Sequence, residues 1–381
     1  MWSSQHYREI GREREVDEVL VERAATAIET FIDAHANLPP LLTLGHLGQR
    51  TDISWYYLNQ LVSGSREDAY SYFRIRKRSG GFRLISVPDT NLMVVQRWIA
   101  SHILSELPVH RASFAFARDS SIKRCALQHC DAQWLIKLDV SGFFGSISEV
   151  QVYRVFLGAG YAPLMAFELA RLCTHAPSGS KRYNRKEWQA YRYSRPIHEY
   201  RNGRIGYLPQ GAPSSPMLSN LVMKDIDREI STVAARAGVT YTRYSDDITF
   251  STRGAFSRGR AMALIRAVTA CLRRVGLSVN DGKTRIVPPG ARKVVLGLLV
   301  DGPEPCLTRE FRDQLRQHIH YLEKHGPEVH RAKRNFDTVA GMYRHIRGLI
   351  DFAKSVDEGY AAKMRTRFDN VAWSPDVAPN I

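Results

Sequence analysis

Two adjacent carboxylates at the tip of a β-hairpin constrain this chain more than any other feature. They stand in Thr240-Tyr-Thr-Arg-Tyr244-Ser245-Asp246-Asp247-Ile-Thr-Phe-Ser-Thr252. Two alternating β-rich runs meet there at an acidic turn, and the pattern predicts strand, tight turn and strand. Like charges side by side cost such a turn stability. Divalent cations offset that cost, because hard cations take carboxylate oxygens. Nucleotidyl transfer needs two such ions, about 3.5–4 Å apart. Taken alone, an Asp-Asp pair also reads as a solvated turn. What changes the reading lies upstream.

The run Trp134-Leu-Ile-Lys-Leu-Asp139-Val reads as a mostly buried strand that ends on a carboxylate. An Asp in that position is costly unless it meets a cation. By itself it reads as a turn or helix N-cap residue. Joined to Asp246 and Asp247, it completes a three-carboxylate metal site. Phe144 follows five residues after Asp139, where a bulky ring can lie under a nucleotide sugar and clash with a 2′-hydroxyl. Core packing is the other reading of Phe144, and the expected one for Phe143. Between these segments stands Tyr207-Leu-Pro-Gln210-Gly-Ala-Pro-Ser-Ser-Pro-Met-Leu-Ser-Asn220-Leu. Pro216 and the serines before it mark a helix start. The loop amides and helix N-terminus suit phosphates.

The order of these pieces resembles reverse transcriptases of the bacterial retron type. Leu138-Asp139-Val-Ser-Gly-Phe-Phe144-Gly-Ser-Ile-Ser148 resembles the family's first carboxylate motif. Leu208-Pro-Gln210 through Asn220 resembles its nucleotide-binding loop and helix. Tyr244-Ser-Asp-Asp247 resembles its Tyr-x-Asp-Asp hairpin, and Asn280-Asp-Gly-Lys283-Thr284 the motif that follows. Phe73 to Pro88, with Arg76, Lys77 and Arg83, resembles the basic fingers hairpin. The resemblance covers residues 55–325. Ser120 to His129 is similar to the retron Asn-Ala-x-x-His segment, with Cys125 in place of Asn. Val295-Leu296-Gly297 is similar to the retron Val-Thr-Gly element, with Leu296 in place of Thr.

The resemblance implies an α+β, right-hand polymerase with fingers, a ferredoxin-like palm and a short helical thumb. It implies an N-terminal helical extension over 1–54, and fingers and palm over 55–305 with a basic insertion at about 175–206. A thumb and tail over 306–381 complete the chain. Asp139, Asp246 and Asp247 are the implied catalytic metal ligands, holding two Mg²⁺ ions with Mn²⁺ as a substitute. Arg76, Lys77, Arg83, Phe144, Gln210 and Lys283 are the expected nucleotide contacts. Arg331, Lys333, Arg334 and His129 are the expected RNA contacts. The implied substrates are dNTPs, a structured non-coding RNA acting as template and primer, and the RNA–DNA hybrid. Retron resemblance also implies branched, RNA-linked single-stranded DNA (msDNA), a role in anti-phage defence and a separate effector protein. About thirty residues follow Ile350, too few for an RNase H domain, so template removal falls to a host enzyme. Two other readings stay open: a defence reverse transcriptase outside the retrons, and an inactive RNA-binding scaffold.

Composition agrees with a nucleic-acid partner. The 381 residues carry 54 Lys and Arg against 38 Asp and Glu, a formal charge of +16. Such a surplus suits salt-sensitive grip on phosphates. Five cysteines in odd number, without Cys-x-x-Cys, point to free thiols. The polar start is no signal peptide, and no apolar run reaches membrane length. A soluble cytoplasmic protein without membrane contact is expected. Residues 1–13 read as frayed, and Val16 to Ala34 as an amphipathic helix. Val294 to Val300 reads as one buried strand. Two amphipathic helices follow Thr308, the first ending at Gly326-Pro327.

Overall fold

The computed structural model describes residues 3–66, 68–76, 80–176, 205–374 and 377. Lys77 and most of the basic insertion, 177–204, lie outside the described residues. A four-stranded antiparallel sheet organises the centre. Its strands are β3 (Trp134–Asp139), β4 (Thr240–Tyr244), β5 (Asp247–Thr252) and β6 (Arg285–Val287), in the order β4-β5-β3-β6. Helices run between β3 and β4, including Ser215–Ala237, and Arg258–Arg274 joins β5 to β6. This is the β-α-β-β-α-β arrangement of a ferredoxin-like palm. The α+β class is that expected from the sequence.

The alternation along each palm strand decides what points where. Ile136, Leu138 and Val140 of the first run, and Ile248 and Phe250 of β5, enter one core with the helices. Burial of each contributes roughly 1.5–3 kcal/mol. Asp139 and Lys137, with Asp247, Thr249 and Ser251 opposite, therefore occupy the other face. A one-residue slip would drive the carboxylates into the helical core, so the apolar side fixes the register.

The fingers hairpin pairs β1 (Tyr70–Arg76) with β2 (Phe82–Pro88). The helix Thr90–His102 follows, its N-terminus capped by Asp89. A second core joins the thumb helices to Leu135 and to a small sheet of β7 (Val294–Val295), β8 (Leu298–Leu299) and β9 (Cys306–Leu307). By packing, that small sheet belongs with the thumb. All five cysteines are free. Among the described residues no helix is long and apolar enough to cross a membrane.

The structure corrects several local expectations. Ser4–Glu13 is a helix, not a frayed end. Its Gly11 lies so close to Val21 that a β-carbon would meet the Val21 side chain at 2.7 Å. In the next helix, Glu18–Ala34, Val21, Ala25 and Ile28 are buried while Val19 and Leu20 are exposed. Val294 to Val300 is no single strand. Leu296 and Gly297 take φ of 49° and 85° and reverse the chain into a β7–β8 hairpin, as positive φ at both central residues dictates. The end expected at Gly326-Pro327 is present: Gly326 is non-helical (φ 75°, ψ 168°) and breaks Arg309–Lys333 into two helical segments across a kink. A third thumb helix, Glu358–Asp369, follows Val339–Lys354 and buries Ala361, Met364 and Phe368.

Candidate active site

The hairpin between β4 and β5 is closed by a two-residue turn, Ser245-Asp246, with Tyr244 opposite Asp247. Ser245 has φ 59°, in the left-handed region. The Asp246 carbonyl accepts from Val140 N at 3.0 Å, which ties the turn to the end of β3. Asp139 lies directly opposite Asp247 in the ladder. Its own carbonyl accepts from Asn280 N at 2.7 Å. Three backbone segments thus bring the three carboxylates together at one end of the open palm face.

The electrostatics of this end are unfavourable in the protein alone. Burial raises the Asp246 carboxyl above the usual range, and the Asp139 charge adds to the shift. Burial also raises Asp247, with the Asp246 charge next in importance. Lys283 answers part of this charge: its Nζ donates to Asp139 Oδ2 at 2.7 Å. That bond raises the lysine above its ordinary value. Lys137 moderates Asp247 from the same strand face as Asp139. Among the described residues, no three His, Cys, Asp or Glu side chains close into a cage for one ion. The three carboxylates are hard oxygen donors grouped at one strand end, with Asp139 buried.

Beneath the turn lies a network that sequence reasoning missed. Arg243, on the helix side of β4, is fully buried, as is Asp227 of Ser215–Ala237. The pair is bidentate, Nε to Oδ1 at 2.8 Å and Nη2 to Oδ2 at 2.7 Å. Arg243 Nη1 donates to Asn220 Oδ1 at 3.0 Å and to the Ser245 carbonyl at 3.1 Å. Tyr241 OH donates to Asp227 Oδ1 at 2.7 Å. The guanidinium therefore grips the Ser245-Asp246 turn through its backbone. The available signal was the spacing of Asp227 along the helix from Asn220, which places both over β4.

Gln210 and the loop around it meet the fingers. The Gln210 carbonyl accepts from Ser86 N at 2.7 Å. Gly211 has φ 121°, and a β-carbon there would meet Ile85 Cγ2 at 2.8 Å and Ser86 O at 2.9 Å. Only glycine lets β2 approach so closely. Ile85 thus faces the loop, and Arg83, two residues earlier, shares its face. Arg76 pairs with Phe82, so it projects from the opposite face, the side on which Tyr72 hydrogen-bonds His175. The register separates the two arginines and puts Arg83 toward the loop. Phe144 sits in a short helix, Phe143–Ser146, partly buried above the core that holds Phe143.

The expected RNA contacts divide. Arg331, Lys333 and Arg334 lie at the end of the kinked thumb helix, with Lys333 over the Tyr321 ring. Arg331 pairs with Glu328, and Arg334 donates to Gln317. His129 is elsewhere and fully buried. Its two ring nitrogens meet the Ser251 and Thr242 hydroxyls, each at 2.7 Å. A ring without exposed surface is a brace for the palm sheet, not an RNA contact. Cys125 joins the same brace, its thiol 3.4 Å from Thr242 Oγ1.

A family described as reverse transcriptase (RNA-dependent DNA polymerase) matches residues 75–322. The chain is 32% identical over 287 residues to the retron Mx162 reverse transcriptase of Myxococcus xanthus, covering 72% of this chain and 56% of that protein. It is 32% identical over 300 residues to the Mx65 enzyme of the same organism, covering 78% and 64%. It is 27% identical over 337 residues to the retron Ec86 reverse transcriptase of Escherichia coli, covering 88% and 91%. The chain thus spans less than two thirds of the length of the two Myxococcus relatives.

Proposed function

We propose, on the premise that this chain belongs to the reverse transcriptase (RNA-dependent DNA polymerase) family, that it is a retron-type RNA-directed DNA polymerase. The observation that carries this reading is the register pairing of Asp139 with Asp247, with Asp246 on the adjoining turn. Its substrates are dNTPs and a structured non-coding RNA that serves as template and primer. Its product is msDNA, single-stranded DNA still joined to RNA, in a system that defends against phage through a separate effector.

Two Mg²⁺ ions, or Mn²⁺ in their place, suit the three carboxylates. The donors are hard oxygens. Burial and mutual repulsion leave Asp246 and Asp247 in need of positive charge, and an ammonium already stands against Asp139. Bound there, the ions supply activation of the primer hydroxyl and neutralisation of the triphosphate. Asp139, Asp246 and Asp247 would hold them. The Ser245 turn, gripped by Arg243, keeps Asp246 and Asp247 aligned with the strand end. Lys283 is poised to leave Asp139 for the triphosphate or to give a proton to pyrophosphate. Arg83 offers a planar fork for phosphate oxygens on the face that meets the Gln210 loop. Phe144 excludes the 2′-hydroxyl of a ribonucleotide. Arg331, Lys333 and Arg334 hold the RNA–DNA hybrid, and host RNase H removes the template.

The test is the DNA made in cells that express the chain with its flanking DNA. Branched RNA-linked DNA, absent with Asp246→Asn, is the expected product. Linear DNA free of RNA would favour a defence polymerase outside the retrons. No DNA at all would leave an RNA-binding scaffold.

A further inference from the structure

Ser113-Phe114-Ala115-Phe116-Ala117 carries a backbone oddity beside the site. The segment adds to the free edge of β4. Arg243 N donates to the Ala112 carbonyl at 2.7 Å, and Phe114 N to the Arg243 carbonyl at 2.9 Å. Asn220 then pins it from the helix: Nδ2 donates to the Ala115 carbonyl at 2.6 Å, and Oδ1 accepts from the Ser113 hydroxyl at 2.9 Å. Immediately after these anchors, Ala117 N donates to the Ala115 carbonyl at 2.8 Å. That bond closes a three-residue turn with Phe116 at its centre, φ 62°. A γ-turn of this hand is rare and strained, and a bulky residue at positive φ is an outlier. Glycine would hold the same turn without penalty.

Burial does not explain the choice of phenylalanine. Phe116 is 41% exposed and belongs to neither core. Its ring centroid lies 6.4 Å from that of Phe144 and 6.5 Å from that of Tyr244. Phe144 is the sugar-sensing candidate, and Tyr244 adjoins the catalytic turn. Strain that persists because neighbouring structure over-determines it collects at functional sites. Here Asn220 and β4 supply the over-determination, and the ring is held half in solvent beside Phe144 and Tyr244.

We propose that Phe116 is a specificity-determining residue of the nucleotide site, its ring packing on the sugar and base of the incoming deoxynucleotide alongside Phe144. This rests on the polymerase reading above. The strained turn keeps an apolar surface where hydrophobic collapse would withdraw it.

Steady-state primer extension on an RNA template tests the proposal, with wild type, Phe116→Gly, Phe116→Tyr and Phe144→Ala compared. Glycine fits φ 62°, so Phe116→Gly should melt at or above the wild-type temperature. It should nonetheless raise KM for dNTP about ten-fold, the size of one lost aromatic contact. Its kcat should stay within about three-fold, and its preference for dNTP over rNTP should weaken. Phe116→Tyr should restore KM to within about two-fold. An active wild type whose KM is unchanged by Phe116→Gly overturns the Phe116 assignment alone. So does a Phe116→Gly protein that melts lower and loses kcat at constant KM, the behaviour of a packing residue. A folded wild type that extends no primer overturns the polymerase reading, and this proposal with it.

Discussion

Arg243→Met removes the guanidinium that grips the Ser245-Asp246 turn. Four hydrogen bonds are lost: two to Asp227, one to Asn220 and one to the Ser245 carbonyl. Asp227 stays fully buried with only the Tyr241 hydroxyl identified as a remaining donor. Breaking a buried pair from one side costs about 3–5 kcal/mol, because an uncompensated charge remains. Against a total stability of about 5–15 kcal/mol, that is roughly a fifth or more. The expected fall in melting temperature is on the order of 5–15 °C. Removing both charges, Asp227→Leu with Arg243→Met, should recover most of the loss, since an apolar pair of similar volume is often near neutral. The Ser245 carbonyl stays ungripped in both proteins, so kcat should remain low in the stable double variant. Thermal unfolding with a double-mutant cycle reads the first effect, and primer extension the second. A single variant that costs under about 1 kcal/mol would refute the buried-charge argument, being no more than a surface pair is worth. A double variant with wild-type kcat would refute the grip on the turn.

Burial pushes His129 down to about 3 and His318 to about 4. Both folded values lie below the unfolded value of about 6.5, so their contribution is present above that pH and is lost as pH falls through the folded values. Melting temperature should therefore fall on acidification from about pH 6.5 to 4, and His129→Gln should flatten the slope; equal slopes in both proteins would contradict it. Asp246 and Asp247, raised in the fold, act in the opposite sense: their contribution is fullest at low pH and is lost as pH rises through their raised values. Neutralising Arg331, Lys333 and Arg334 together should weaken binding of unrelated structured RNAs alike and reduce the salt slope by roughly 2–3. An unchanged slope would remove them from the RNA grip.

The sequence made the carboxylates legible because short motifs in a fixed order leave few folds that join them. Residues whose roles depend on distant partners were not legible. An arginine in a strand reads as solvent-facing until Asp227, on the neighbouring helix, closes on it. His129 reads as a polar contact because nothing local says that Thr242 and Ser251 will enclose it. Val294 to Val300 has the composition of a strand, and only the positive φ at Leu296 and Gly297 breaks it. The first helix depends on Gly11 meeting Val21, a contact between helices that periodicity within one segment does not encode. The same holds for Phe116, whose backbone strain is invisible in its letter.

RNA-templated incorporation of dNTP by wild type and Asp246→Asn, with and without Mg²⁺, tests the central claim most directly. The substitution keeps the shape of the turn while removing one carboxylate charge, and it relieves the Asp246 repulsion that adds to burial in raising Asp247. The account predicts extension by wild type only with divalent metal. It predicts a fall of at least about a thousand-fold for Asp246→Asn, the scale of losing an electrostatic catalytic group, with melting temperature unchanged or raised in metal-free buffer. Near-normal extension by the variant would contradict the assignment of Asp246 to the chemistry.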